Sequence, residues 1–344
     1  MIDTAKIYVP SRKQVDKAGD KLKNGEVGQD VLDILSAWRS VHTYPISTFQ
    51  SLIRKKIKEL QLDDTTVVAQ RLKRLPSIVS KLKRLPTMNL SQMQDIGGIR
   101  IIVKDISSVY SLHEKIINSR FKHKISLPPR DYIKNPKPDG YRSLHQYFQY
   151  NNLYHPELNG LRIELQIRTQ LQHAWATAVE TLGTIENESF KSGEGKETYK
   201  RFFKLVSALF SIEEKQPVLS ELQNVDRSDL VRELITLEKD LSIIAKLKGI
   251  AITTKHIETS ADNSDYYVMV LDSLQNTLQL VPFTNKQIEM AESFYAIQEA
   301  KSRDNEYLSV VLVSAGDIEH LRKAYPNYFL DTALFIKRIT KIMM

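Results

Sequence analysis

The sequence predicts an α+β fold: a mixed β-sheet flanked by helices, followed by a small α+β C-terminal domain. Three observations predict it. Short β-branched runs interleave with helical periodicities up to about residue 190. Residues 161–168 alternate without a break: Leu161, Ile163, Leu165 and Ile167 are apolar, and Arg162, Glu164, Gln166 and Arg168 are polar. Strand signals then return in the last ~95 residues, after a long helical stretch. The 344 residues suit about two domains. We divide them into 1–195, a helical extension at 196–250, and 251–344.

Each element has its own signal. Residues 30–40 and 49–61 carry apolar side chains at spacings of three and four, with Pro45 between them, and read as helices. The stretch 71–86, RLKRLPSIVSKLKRLP, holds six Lys and Arg and no acid, and its Pro76 suits the first position of a helix. Residues 97–103 are a β-branched run behind two glycines, a buried strand, with a helix after it at about 107–118. Pro128, Pro129, Pro136 and Pro138 mark 127–140 as a loop. Residues 141–150 alternate as a strand, and Thr169 caps a helix running to about Thr181. A Gly/Ser/charged loop at 189–197 precedes helices at about 198–213 and 226–245. Further on, 266–271 and 278–283 read as a strand pair, and 284–300 as a helix capped by Thr284. Residues 307–313 read as a strand, and two short helices close the chain.

Composition narrows the function classes. With 42% apolar and 26% charged residues the chain can bury a core, which argues against wholesale disorder. It has no cysteine, which excludes disulfides, thiolate metal sites and cysteine nucleophiles, and makes a cytoplasmic address the default. No apolar run approaches the ~18 residues a membrane span needs, and the first 19 residues lack the apolar core of a leader. The net charge of +8 divides unevenly, +12 up to Lys215 and −4 after it. A basic body with an acidic end suits a polyanion-handling domain with an appendage of opposite sign, although chance asymmetry produces the same totals.

Four segments carry candidate chemistry. Ser77 and Lys81 lie one helical turn apart, so a hydroxyl, an ammonium and a helix N-terminus would meet at a phosphate site. Taken alone, the stretch reads equally as a solvated basic face. Asp95 precedes the buried strand, and Glu164 projects from the polar face of 161–168. Polar strand faces are common on solvated sheets, yet two separated carboxylates facing a phosphate site suit Mg²⁺. Alternation through KPDGYRSLH puts Tyr141, Ser143 and His145 on one face, where Tyr141 could stack on a base. A lone tyrosine there would ordinarily be core.

In this order the segments resemble the synthetase domain of the RelA/SpoT homologue family, over about residues 70–180. The matching motifs are Arg71-x-Lys73-x-x-x-Ser77-x-x-x-Lys81, Asp95–Ile–Gly–Gly–Ile–Arg100, Gly140–Tyr–Arg–Ser–Leu–His145 and Glu164–Leu–Gln–Ile–Arg–Thr169. Gly97 stands where alanine is common in the family, an exchange between small residues that we expect to be tolerated. The resemblance implies transfer of pyrophosphate from ATP to a ribose 3′-hydroxyl. Arg71 and Arg100 would sandwich adenine, with Lys73, Ser77 and Lys81 on the triphosphate. Asp95 and Glu164 would hold Mg²⁺, and Glu164 could take the hydroxyl proton. Tyr141 would stack on the acceptor base, near His145, Gln166, Lys137 and Arg142.

The family's hydrolase His-Asp pair and long regulatory series are expected to be absent, leaving a small synthetase with a tail. Toxic small members pyrophosphorylate the 3′-CCA end of tRNA, blocking translation, whereas alarmone synthetases modify GDP or GTP. The +12 body favours tRNA, with Lys83, Arg84, Lys122, Lys124, Arg130 and Lys134 as backbone contacts. Tyr325–Pro326–Asn327–Tyr328 resembles the neutralising motif of the fused toxin–antitoxin CapRel group. There a zinc-finger-like domain without metal ligands covers the ATP site until a phage protein, typically a capsid protein, releases it. The expectation is therefore a monomer silenced by its C-terminal domain, with Tyr325 and Tyr328 in the adenine clamp. Two alternatives stay open: an alarmone synthetase in which the tyrosines pack a helical turn, and a non-catalytic RNA-binding scaffold.

Overall fold

The computed structural model describes residues 8–186, 196–248, 253–256, 264–275, 277–302, 305, 307–314, 318–326, 328–329 and 332–344. Helices α1 (Arg12–Lys23), α2 (Gln29–Ser40) and α3 (Thr43–Glu59) open the chain. Pro45 does not separate α2 from α3; it sits in the first turn of α3, where a missing N–H costs nothing. Strand β1 (Val67–Leu72) leads into α4 (Leu75–Arg84), with Pro76 in its first turn. Then come β2 (Gly97–Val103), α5 (Ile106–Ile117), β3 (Lys124–Asp131), β4 (Leu144–Gln149) and β5 (Arg162–Thr169).

The prolines at 128 and 129 lie in β3, not in a loop. Strand β3 is the last strand of the sheet, where a proline removes no interior ladder bond. Thr169 caps α6 (Gln170–Ile185) through a capping box with Gln172. Helices α7 (Glu197–Glu213), α8 (Arg227–Leu241) and α9 (Ile243–Lys248) follow. Most of the expected loop at 189–197 lies outside the described residues. The last third holds β6 (Thr253–His256), β7 (Tyr266–Asp272), β8 (Thr277–Phe283), α10 (Ile288–Lys301), β9 (Leu308–Ser314), α11 (Ile318–Ala324) and α12 (Ala333–Met343). Among the described residues no helix is long and apolar enough to cross a membrane.

The strands form one mixed sheet, ordered β3-β4-β5-β2-β1-β9-β7-β8-β6. The pairs β2–β5 and β6–β8 are parallel and the rest antiparallel. The boundary expected at residue 250 is therefore not a break between two sheets. Strand β9 joins the edge of β1 through two registered pairs, Gln70↔Ser314 and Arg71↔Val313. The terminal helix α12 leaves the last third altogether. Its Phe335, Ile339 and Ile342 are buried against α6, α7 and α8, with Phe335 near Phe203 and Phe210. Among the described residues, the strands of the last third continue the same sheet as the first part of the chain.

Register settles which side chains share a face. Arg71 pairs with Gly98, Gly98 with Glu164, Arg100 with Gln166, His145 with Gln166, and Tyr147 with Glu164. Directly paired residues point the same way, so Arg71, Arg100, His145, Tyr147, Glu164, Gln166 and Arg168 occupy one face. Ile99, Ile101, Ile163, Leu165, Ile167, Leu144 and Phe148 take the other, in the core with α3 and α5. Gly97 belongs to that core: a Cβ there would lie 2.8 Å from Ile46 Cδ1. The space an alanine methyl would need is filled by Ile46.

One core group makes this fold acid-sensitive. His42, 1% exposed, sits edge-on to Trp38, with Nδ1 2.7 Å from the Trp38 carbonyl. Burial holds its pKa down to about 4. The unfolded chain therefore takes up this proton at higher pH than the folded one. Stability is expected to fall by about 3 kcal/mol between pH 6.5 and 4. Denaturant titrations of the protein and of a His42→Gln variant check this, since the variant should lose that share of the pH dependence.

Candidate active site

Much of the polar face of the sheet is buried: Arg100, His145, Glu164 and Arg168 are each less than a tenth exposed. Asp95, just ahead of β2, accepts from Lys73 Nζ at 2.8 Å and from Lys81 Nζ at 2.7 Å. Burial opposes ionisation of Asp95, but Lys73 and Lys81 outweigh it and hold the carboxyl below its usual range. Lys73 is pushed down by burial, against the pull of Asp95. Ser77 lies half-buried one turn before Lys81 on α4, as the spacing predicts.

Glu164 is held by three donors. Tyr147 Oη donates to Oε1 at 3.0 Å, Gln166 Nε2 donates to Oε2 at 2.7 Å, and His145 Nδ1 lies 2.9 Å from Oε1. Burial opposes its charge, yet His145 and the other donors keep it ionised well below the usual carboxylate range. An ionised carboxylate only accepts, so the network places the proton of His145 on Nδ1. Its Nε2 then faces the Tyr141 hydroxyl at 3.0 Å. The Lys137 ammonium lies 4.9 Å from the Tyr141 ring centre and 4.7 Å from that of Tyr132.

The loop before Tyr141 is fixed by Gly140. At φ +93° it adopts a conformation that L side chains rarely take, and a Cβ would meet Ser207 Cβ at 2.9 Å. The chain then turns Arg142 away from the site. Arg142 is buried, donating from Nε to Ser207 Oγ at 3.2 Å and from Nη1 to the Ile133 carbonyl at 3.0 Å. Arg142, expected beside the acceptor, is placed here as an anchor of the loop to α7.

The far side of the face is covered by the last third of the chain. Tyr325, 2% exposed, donates from Oη to the Gln70 carbonyl at 2.6 Å, and its ring centre lies 5.8 Å from the Arg100 guanidinium. Tyr328 is buried with its ring centre 5.8 Å from Arg74. Arg100 Nη1 donates to the Ala324 carbonyl at 3.3 Å. Burial, with Arg71 adding, holds the Arg100 pKa down to about 10. Arg168 bonds to His173 Nδ1, and His173 Nε2 lies 3.1 Å from the Lys323 carbonyl. Asn327 lies outside the described residues.

A second contact reaches α4. Its N-cap Arg74 makes no side-chain cap, and the Leu75 amide donates instead to Glu299 Oε1 of α10 at 2.9 Å. Glu299 also takes Arg39 Nη1 at 2.7 Å, and Tyr295 Oη donates to it.

Most expected site residues thus meet on one face: Arg71, Arg100, Glu164, Gln166 and His145, with Lys73, Lys81, Asp95 and Tyr141 at its rim. Lys83, Arg84, Lys122, Lys124, Arg130 and Lys134 are exposed. The first two end α4, and the others lie on or beside β3, with Arg130 5.3 Å from the Tyr147 ring centre. Sequence reasoning missed Tyr147 and Arg168, though period-2 alternation from His145 and Glu164 would have found both. It missed Glu299 and Arg39, for which no local signal exists.

Asp95 and Glu164 fit a metal. Both are ionised hard-oxygen donors close enough that each disfavours the other's charge. No cluster of three or more His, Asp or Glu suited to a metal occurs among the described residues, so an ion here needs oxygens from a substrate. That is the coordination habit of Mg²⁺. For the loop, Gly140→Ala is expected to cost about 1–3 kcal/mol, read by denaturant unfolding; an unchanged midpoint would show that the left-handed turn is not required.

Residues 70–183 match a family described as "Region found in RelA / SpoT proteins". The GTP pyrophosphokinase YwaC of Bacillus subtilis is 34% identical over 114 residues, 31% of this chain and 52% of that protein. A GTP pyrophosphokinase of Haemophilus influenzae is 31% identical over 150 residues, 43% of this chain and 17% of that one. The chain thus spans about half the length of the first relative and a smaller share of the second. The solved structure of the B. subtilis small alarmone synthetase 1 bound to its product pppGpp is 23% identical, with a TM-score of 0.44, over 51% of this chain and 90% of that one. The matched stretch, residues 70–183, contains all the motifs on the polar face, and there the chain is similar to the region found in RelA/SpoT proteins.

Proposed function

We propose that this face is a pyrophosphokinase site at which the 3′-hydroxyl of a guanosine nucleotide attacks the β-phosphorus of ATP, taking the terminal pyrophosphate and making an alarmone, while AMP leaves and the hydroxyl proton is released. One observation carries the reading: a carboxylate bridged by two lysines lies at the rim of a sheet face that holds a second carboxylate, gripped by three donors, and two arginines. Pyrophosphoryl transfer asks for positioning and positive charge on phosphate oxygens more than for covalent chemistry. Arg71 and Arg100 would clasp adenine. Lys73, Ser77 and Lys81 would hold the phosphates, the two lysines exchanging Asp95 for phosphate oxygens. Asp95 and Glu164 would hold Mg²⁺, which would neutralise charge on the transferred group. Tyr141 would stack on the acceptor base, with His145 and Gln166 fixing its neighbour Glu164. The names of the relatives support the guanosine acceptor.

The charge distribution favours a second acceptor, the 3′-CCA end of tRNA. The +12 over residues 1–215 exceeds what two nucleotides require, and the cations expected to contact tRNA, Lys83, Arg84, Lys122, Lys124, Arg130 and Lys134, are exposed. In either reading the burial of Tyr325 beside Arg100 supports a self-silenced form. By resemblance to the fused group, a phage capsid protein binding the last third would open it and start the block on translation.

ATP labelled in its terminal phosphates tests both readings, with Mg²⁺ and with GDP, GTP or bulk tRNA as acceptor. The chain itself is expected to transfer slowly and a Tyr325→Ala/Tyr328→Ala variant at least tenfold faster. Added Glu164→Gln should abolish transfer. Label on GDP or GTP supports the first reading and label on tRNA the second. No label on any acceptor with the double variant would sink the proposal. Point substitution is the right tool, because truncation before α12 would strip Phe335, Ile339 and Ile342 from the helical core.

A further inference from the structure

The amide end of α4 is where a nucleotide's phosphates would be received, and it already holds an anion supplied by the chain. Pro76 has no N–H and Arg74 offers no side-chain cap, so the Leu75 amide is one of few donors left in that first turn. Glu299, 6% exposed, accepts from it at 2.9 Å. The two residues are 224 positions apart in sequence, so this is no local cap. A carboxylate at a helix N-terminus makes the same kind of bond as a phosphate oxygen.

The carboxylate is bolted in place. Arg39 of α2, 5% exposed, donates to its other oxygen at 2.7 Å, and the Arg39 guanidinium lies 4.6 Å from the Tyr295 ring centre. Arg39 and Tyr295 also hydrogen-bond to each other, and Tyr295 donates to Glu299. Next to the bolt, Ser40 Oγ donates to Glu292 Oε2 at 2.6 Å, again tying α2 to α10. Every polar partner of Glu299 apart from its own helix thus belongs to α2 or α4. A buried pair of this kind is strongly destabilised when one member is removed.

We infer that Arg39 and Glu299 form a second lock on the site, separate from the tyrosines, in which Glu299 competes with a nucleotide phosphate for the α4 amide end. The inference rests on the nucleotide-site reading above. Tyr325 and Tyr328 guard the base side of the site, at Arg100 and Arg74, whereas Glu299 guards the phosphate side. Nucleotide entry and the docked position of α10 then exclude each other, and the affinity seen is the open-form affinity scaled by the open fraction.

The test measures ATP and inorganic tripolyphosphate binding to the full chain and to Glu299→Gln, Arg39→Gln and Tyr325→Ala variants, with a thermal melt of each. Glu299→Gln keeps an oxygen for the Leu75 amide and removes the charge held by Arg39. Both ligands are expected to bind Glu299→Gln and Arg39→Gln about tenfold tighter than the parent. Tripolyphosphate has no base, so Tyr325→Ala should tighten ATP much more than tripolyphosphate. Unchanged ligand binding with a lowered melt in both lock variants would overturn the inference and leave the pair as a structural tie. If Tyr325→Ala binds ATP while Glu299→Gln gains nothing, the lock fails and the site reading stands. If no variant binds ATP, the site reading itself fails, and the lock with it.

Discussion

The structure turns on a short seam. Strand β1 is the edge of the stretch that matches the RelA/SpoT region, and among the described residues β9 covers that edge through Gln70↔Ser314 and Arg71↔Val313. An uncovered sheet edge invites pairing, and here the chain supplies its own partner. The consequence is geometric: once β9 lies beside β1, Val311 and Val313 continue the face that carries Arg71 and Arg100. Helix α11 can then pack across the junction, which brings Tyr325 to the Gln70 carbonyl and to Arg100. Site and cover are two stretches of one sheet face.

The same arrangement explains why cations crowd a poorly solvated place. Arg100 and Arg168 are buried, and Asp95 is the carboxylate that Lys73 and Lys81 share. Burying like charges is costly without an anion to receive them. The Ala324 carbonyl and the Tyr325 ring face meet part of that need at Arg100, and Arg168 bonds to His173, which in turn lies against the Lys323 carbonyl. A polyphosphate would meet more of it. On the proposed reading, a nucleotide would exchange these weaker stand-ins for its own phosphates.

The site was largely legible in the sequence because its parts are local. Period-2 alternation over 161–168 placed Glu164 and Gln166, and the i,i+4 spacing placed Ser77 and Lys81. Arg142 came with the resemblance and not with the alternation, and its contacts with Ser207 and the Ile133 carbonyl join residues that no local pattern links. The strand at 124–131 was misread because prolines argue against strands except at edges, and edge position is not encoded locally. The cover was half legible. Tyr325 and Tyr328 stood out as a motif, whereas the β1–β9 pairing, the return of α12 to the helical core and the Arg39–Glu299 pair join residues more than 100 positions apart. No periodicity reports such contacts.

The central claim is that the nucleotide face is closed by the chain's own last third across the β1–β9 seam. Amide hydrogen exchange, with and without saturating ATP and Mg²⁺ on the full chain, tests it most directly. The account predicts faster exchange at Val313, Ser314 and α11 when nucleotide is bound, with β2 and β5 still protected. Bound ATP that leaves the seam and α11 as protected as before would contradict it.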